Sequence, residues 1–335
     1  MPINQFRNLV FEGGGVKGIA YAGAIQALEE AKILPGITRV AGTSAGAITA
    51  ALLALGAGSQ DVASIVGGTD FKQFMDAGLL PANVWRLVND YGWYKGDAFS
   101  DWMRGIIRKY TGDPELTFIG LRALAKKPDS RFRDLYMVGT DLSKQQPMVF
   151  SADDTPGVAI WQATRTSMSI PLFFQAVMQA DDVRVDGGVT WNYPVDLFDD
   201  RKYLANPRLG VKPDLPTVYD KNHVYNKETL GFRVDTLDEI AAEKASWKLP
   251  PARIGNIMDY ITALIGFMTD MANKAHLTDR DWHRTVIIDA GGVGATDFSL
   301  SPQQIAMLKA NGLKGARDYL KWFKDPKAKI KPLNR

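Results

Sequence analysis

Two glycine-bracketed turns stand within the first 50 residues. Each follows a short apolar run and precedes an alanine-rich stretch. The first is Gly13-Gly14-Gly15-Val16-Lys17-Gly18, after Leu9-Val10-Phe11 and Glu12. The second is Gly42-Thr43-Ser44-Ala45-Gly46, after Arg39-Val40-Ala41. From Gly18 to Ala31, apolar side chains at Ile19, Ala22, Ile25, Leu28 and Ala31 keep a helical period until Leu34-Pro35-Gly36 stops it. Residues Ala45–Leu55 form a second helix dense in Ala and Leu. The order is strand, turn, helix, strand, turn, helix. Such a chain folds as α/β, with its strands parallel and joined by right-handed crossovers.

Further along, residues 97–110 and 115–126 read as helices, and Leu135–Gly139, Pro147–Phe150 and Val183–Val185 as strands. A polar stretch, 199–228, carries Pro207, Pro213 and Pro216 and reads as irregular and functional or mobile. Leu230–Val234 and Thr285–Asp289 are later strands, with an apolar helix over 254–273 between them. A helix containing Gln303–Lys309 and a basic tail follow. No composition break divides the 335 residues. The expectation is one domain over 1–335, with a motif-bearing core over 7–200 and C-terminal strands, apolar helix and tail over 229–335.

Composition removes whole classes of chemistry. The chain has no Cys, which excludes disulfides, thiolate nucleophiles and Cys-based zinc sites, and only three His. Forty Lys and Arg against 37 Asp and Glu give a net charge of +3, too balanced to point to nucleic acid. The N-terminus lacks the basic and apolar regions of a Sec signal. The longest apolar stretch, Ala47–Ala57, is far shorter than the roughly 20 residues of a spanning helix. A cytoplasmic protein with peripheral membrane contact is expected, and export by a route other than Sec stays open.

The first glycine loop admits several readings. Gly13, Gly15 and Gly18 form a G-x-G-x-x-G, but a dinucleotide site needs an acidic residue at the end of the second strand, where Ala41-Gly42-Thr43 stands. A phosphate-binding Walker loop needs Lys where Ile19 follows Gly18. An anion cradle of successive N–H groups remains, beside a plain strand–helix turn. The second loop is a G-x-S-x-G between a strand and a helix, the setting of a nucleophile elbow. Its Ser44 would otherwise be a helix N-cap.

A serine hydroxyl needs a base to become a nucleophile. His223, His276 and His283 all follow Asp186, so a Ser-Asp-His order is available. Alternatively Asp186, at a strand end in Val183-Arg184-Val185-Asp186-Gly187-Gly188, takes the proton directly, for which partial burial must raise its pKa. Asp-Gly is also a plain turn signal.

Taken in order, Gly13–Gly18, Gly42–Gly46 and Asp186-Gly187-Gly188 resemble the patatin-like phospholipase family. Asn192-Tyr193-Pro194-Val195 is similar to the family's segment after Asp-Gly-Gly, and Ser167-Met168-Ser169-Ile170-Pro171 to its small-residue segment before it. The resemblance covers about residues 7–200. It implies a three-layer α/β/α sandwich with a mainly parallel central sheet, similar to cytosolic phospholipase A2. It implies Ser44 as nucleophile, Asp186 as base and the backbone of Gly13, Gly14 and Gly15 as oxyanion hole, with Lys17 as supporting charge and no metal or cofactor. Glu12 departs from the family's more usual residues. The implied activity is hydrolysis of fatty-acyl esters, of phospholipase A or lysophospholipase type, on a phospholipid or other acyl-lipid, with a protein activator open. The rivals are a His-dependent carboxylesterase and a lipid-binding or partner-recruiting module with little turnover.

Two segments could meet the lipid. Residues 71–94 carry Phe71, Phe74, Leu79, Leu80, Trp85, Tyr91, Trp93 and Tyr94, which suit a membrane interface or a packed cap. In the 254–273 helix, Asp259 and Asp270 interrupt the apolar pattern. Lys and Arg only flank it, which favours a core or acyl-pocket wall over a membrane-surface helix. The tail from Lys321, with Lys324, Lys327, Lys329, Lys331 and Arg335, reads as a solvated terminus or an anionic-lipid contact.

Overall fold

The run Asn8–Phe11 (β1) is buried at every position, as are Val40–Thr43 of Arg39–Thr43 (β2) and all of Thr229–Asp235 (β11). Continuous burial, without alternation, marks parallel strands covered on both faces. The computed structural model of the protein describes residues 3–76, 80–212, 221–236, 238–239, 254–255, 257–327 and 333. Leu79, Pro213, Pro216, Lys329, Lys331 and Arg335, singled out above, lie outside these residues. The remaining strands are Gly92–Tyr94 (β3), Asp134–Asp141 (β4), Gln146–Phe150 (β5), Leu172–Phe174 (β6), Val177–Gln179 (β7), Asp182–Asp186 (β8), Gly210–Val211 (β9), Tyr225–Asn226 (β10) and Thr285–Asp289 (β12). The helices are Ala20–Glu30 (α1), Ala45–Ala54 (α2), Ser59–Gly67 (α3), Leu80–Asn89 (α4), Asp97–Thr111 (α5), Phe118–Ala125 (α6), Ile160–Ser167 (α7), Ile257–His276 (α8) and Pro302–Lys324 (α9).

The central sheet runs β12-β11-β1-β2-β4-β8-β7, with β5 also on β4. It is parallel from β12 to β4, and β5, β8 and β7 join antiparallel. The expected three-layer α/β sandwich is therefore present, with a mixed sheet whose parallel part holds the two motif turns. Leu9 and Phe11 of β1 face one layer, a large core with the helices α1, α2 and α9. Val10 faces the other, where Tyr193, Val195, Phe198 and Tyr203 cover the sheet. Every residue of α2 is buried, which explains its uniform Ala and Leu content.

The shared edge of β4 sets up everything that follows. Residues 137–141 of β4 pair with β5 along one edge. On the other edge, β2 pairs with 134–138 and β8 with 139–141. Because β2 arrives parallel and β8 antiparallel, their C-terminal ends meet. Thr43 lies opposite Val138, and Asp186 lies opposite Gly139.

The last helix is longer than its periodicity near 303–309 suggested. It continues to Lys324 because Leu308, Gly312, Ala316, Tyr319, Leu320 and Phe323 bury one face. Lys321 and Lys324 thus belong to its final turn, where cations favour the helix dipole, and not to a loose tail. The contact between α1 and α9 is the most extensive between any two described elements. Glycines bring the backbones together there. A Cβ on Gly312 would stand 1.9 Å from Ala20 O, and one on Gly23 1.9 Å from Lys309 O. Gly312→Ala should therefore force the helices apart and cost roughly 1–3 kcal/mol. Gly105→Ala, at an exposed position of α5 with nothing within 4 Å of the new Cβ, should instead gain roughly 0.5–1 kcal/mol. Urea unfolding of the two variants checks this, and equal shifts would refute the packing argument.

Candidate active site

The elbow after β2 is held in a strained conformation. Ser44 has φ 53° and ψ −125°, a positive φ that a side-chain-bearing residue adopts only under constraint. The constraint is close backbone packing. A Cβ on Gly42 would lie 2.2 Å from Gly46 O, and one on Gly46 2.3 Å from Phe11 O. Both glycines of the G-x-S-x-G are thus required by the approach of α2 to β2 and to β1. The turn presents Ser44 at the N-terminus of α2, where the helix dipole favours negative charge.

The segment Ser167–Ser169 holds both candidate residues. Ser167 Oγ accepts from Ser44 N–H at 2.9 Å and donates to Val138 O at 2.6 Å. Ser169 O accepts from Asp186 N–H at 2.9 Å. Between them, Met168 Sδ accepts from Ser44 Oγ at 3.6 Å. Sequence reasoning singled out this segment but not these roles, because three short hydrogen bonds leave no periodic signal.

Asp186 is buried. Its Oδ1 accepts from Gly188 N–H at 2.7 Å, and its Oδ2 has no hydrogen-bond partner among the described residues. Burial pushes its pKa up to about 7, against the Gly188 N–H and the nearby Ser44 hydroxyl, which favour the charged form. In this rotamer the Ser44 hydroxyl is bonded to sulfur.

The glycine loop is pinned from behind. Gly13 N–H donates to Asn192 O at 3.1 Å, and Asn192 Nδ2 donates to Gly13 O and to Glu12 Oε1, each at 3.3 Å. Glu12 also accepts from Asn273 Nδ2 at 2.6 Å and pairs with buried Arg233 at 3.3 Å. Glu12 thus joins β1, β11, α8 and the segment after Asp186. Its role was not visible in sequence, where it stood only as a departure from the family pattern.

These groups open on one cavity of about 290 Å³. Ser44, Asp186 and Gly13–Gly15 line it, with Ile170, Pro171, Val189, Ile265, Met268 and Val293 as apolar wall. Lys17, at its rim, pairs with Glu239 at 3.8 Å. None of the three histidines lines it. His276 bonds Thr190 O at 3.1 Å and stacks on Trp191, and Asp196 raises its pKa. His223 bridges to Asp200, and His283 lies before β12, at the other end of the sheet.

Comparison with known proteins bears on the family and the fold. The family model described as Patatin-like phospholipase matches residues 9–199. The chain is 30% identical over 327 residues to the uncharacterized protein YqhO of Bacillus subtilis, covering 93% of this chain and 97% of that one. It is 31% identical over 190 residues to lysophospholipase nte1 of Aspergillus fumigatus, covering 56% of this chain and 11% of that one. Among solved structures, VipD from Legionella pneumophila superposes with a TM-score of 0.59 at 20% identity, over 95% of this chain and 67% of that one.

The buried carboxyl has a consequence for stability. Asp186 titrates near 3.9 when unfolded and at about 7 when folded. It is neutral in both states below pH 4, and its burial opposes folding increasingly as pH rises from 4 through 7. Asp186→Asn should therefore gain stability relative to wild type between pH 4 and pH 8. Thermal melts at both values check the sign, and a gap independent of pH would contradict it.

Proposed function

We propose that this chain, which belongs to the patatin-like phospholipase family, hydrolyses fatty-acyl esters of lipids with Ser44 as nucleophile and Asp186 as its base. One observation carries the reading. A strained elbow serine and a buried carboxylate with a free oxygen meet in a cavity that contains no histidine. The Ser44 hydroxyl turns from Met168 to Asp186 Oδ2 and gives up its proton as Oγ attacks the acyl carbon. Negative charge develops on the carbonyl oxygen. Gly13 N–H is spent on Asn192 O, so the N–H groups of Gly14 and Gly15 are the loop's donors in this conformation, aided by the α2 dipole. Asp186, now protonated, gives its proton to the leaving alcohol. Water then releases the fatty acid by the same route in reverse.

The lysophospholipase relative supports a phospholipid or lysophospholipid substrate, and the apolar wall suits an acyl chain. No described helix is long and apolar enough to cross a membrane, so contact with the bilayer is peripheral in this reading. The cavity is lined both by residues 12–192 and by residues 235–296, which supports treating 1–335 as one catalytic unit. A protein activator is compatible with this account and is not required by it.

Ser44→Ala and Asp186→Asn should each lower kcat on p-nitrophenyl acyl esters by about a thousandfold or more while the fold persists. His223→Gln, His276→Gln and His283→Gln should stay near wild type. Loss of activity in a histidine variant that folds normally would move the mechanism to the His-dependent esterase.

A further inference from the structure

Helix α8 lends Ile265 and Met268 to the cavity wall, yet it also exposes an apolar stripe on its outer side. At about 100° per residue, Tyr260, Leu264, Phe267 and Met271 fall within about 60° of one another. These four are 49%, 36%, 55% and 36% exposed. The opposite side carries Thr262, Thr269 and Asn273, which line the Ser44 cavity. That inner side is tied down by polar contacts. Thr262 Oγ1 and Thr296 Oγ1 lie 3.3 Å apart, Asn273 Nδ2 donates to Glu12, and His276 bonds Thr190 O.

The opening has a second apolar bank. Ile170 and Pro171 line the cavity, and the next residue, Leu172, is exposed. Leu172 pairs with Gly92, whose neighbour Tyr91 is exposed, as are Trp85 and Val88 on α4. Part of the 71–94 aromatic set is a packed cap instead, with Phe71, Phe74, Phe99 and Trp102 in edge contact. The exposed Tyr91 is thus linked to the cavity wall at Ile170 and Pro171 through the Gly92–Leu172 pair.

We infer that the outward stripe of α8 docks on a lipid surface and delivers the acyl chain to the cavity beneath the same helix. The inference rests on the lipid-hydrolase reading and names the surface that serves it. A lipid surface is the fitting occupant because α8 is itself a cavity wall. A bilayer that covers the stripe also supplies the acyl lipid that the proposed reaction consumes, next to a wall of its cavity. An apolar stripe of this size in water is otherwise unfavourable, and aromatic and aliphatic side chains on one helix face are what an interface takes up. The stripe lacks basic residues apart from exposed Lys274 at its end, so zwitterionic lipid should suffice.

The test uses the full chain, with Leu264→Ser/Phe267→Ser and, separately, Tyr260→Ser/Met271→Ser. Flotation with phosphatidylcholine vesicles reads docking, and hydrolysis of soluble p-nitrophenyl butyrate reads the chemistry. Wild type should float. Each double variant should bind at least about tenfold less, as two apolar side chains leave the interface, with its soluble-ester rate unchanged. Wild type that stays with the unbound fraction, or variants that float equally well, would overturn the docking surface. So would a wild-type dimer that the variants dissociate, which would assign the stripe to a second copy. A wild type that floats but hydrolyses neither ester nor lipid would instead count against the enzymatic reading while leaving the docking surface standing.

Discussion

The site depends on one strand edge. β4 offers a single edge to two strands that arrive from opposite directions, and their ends meet between Val138 and Gly139. Each arrival is then fastened to β4 itself. Ser167 links Ser44 N–H to Val138 O, and Thr140 Oγ1 donates to Asp186 O at 2.9 Å. Close packing leaves little room for the pair to drift, since a Cβ on Gly187 would stand 2.4 Å from Val138 O. Ser44 and Asp186 are near each other because backbone register demands it. Their side chains need only choose rotamers.

A second framework, of buried charges, lies beside this one. Glu12 and Arg233 sit buried at the C-terminal ends of β1 and β11 and gather Asn192 and Asn273. Buried ions are costly unless paired and hydrogen-bonded, and here the pairing spans four parts of the chain. The same network fastens the inner side of α8. That helps a helix with four exposed large apolar residues stay on the body of the protein.

Much of this was legible in sequence where the signal is local. The first two β–turn–α units, the elbow at Ser44 and the strand end at Asp186 all follow from glycines and apolar runs a few residues apart. What escaped was set by distant contacts. The antiparallel β7–β8 pair is short and only partly buried, so it carries little periodicity. The full length of α9 depends on Gly312 against α1, where a glycine that weakens a helix in isolation strengthens its packing. Asp259 and Asp270 inside the 254–273 helix, with Lys and Arg only flanking it, point to a core or pocket wall. It does wall the cavity, but burial decides which face points in, and four of its large apolar residues point out. Ser167, Met168 and Ser169 gained roles only once the sheet brought Ser44 and Asp186 to them.

The most direct test of the account is the rate at which a fluorophosphonate labels the protein as a function of pH, with the modified residue identified by mass spectrometry. The account predicts labelling at Ser44, rising through a single ionisation near pH 7, as expected of the Asp186 carboxyl. It also predicts that Asp186→Asn abolishes labelling. Labelling of another residue, or an unchanged rate and pH profile in the Asn variant, would contradict it.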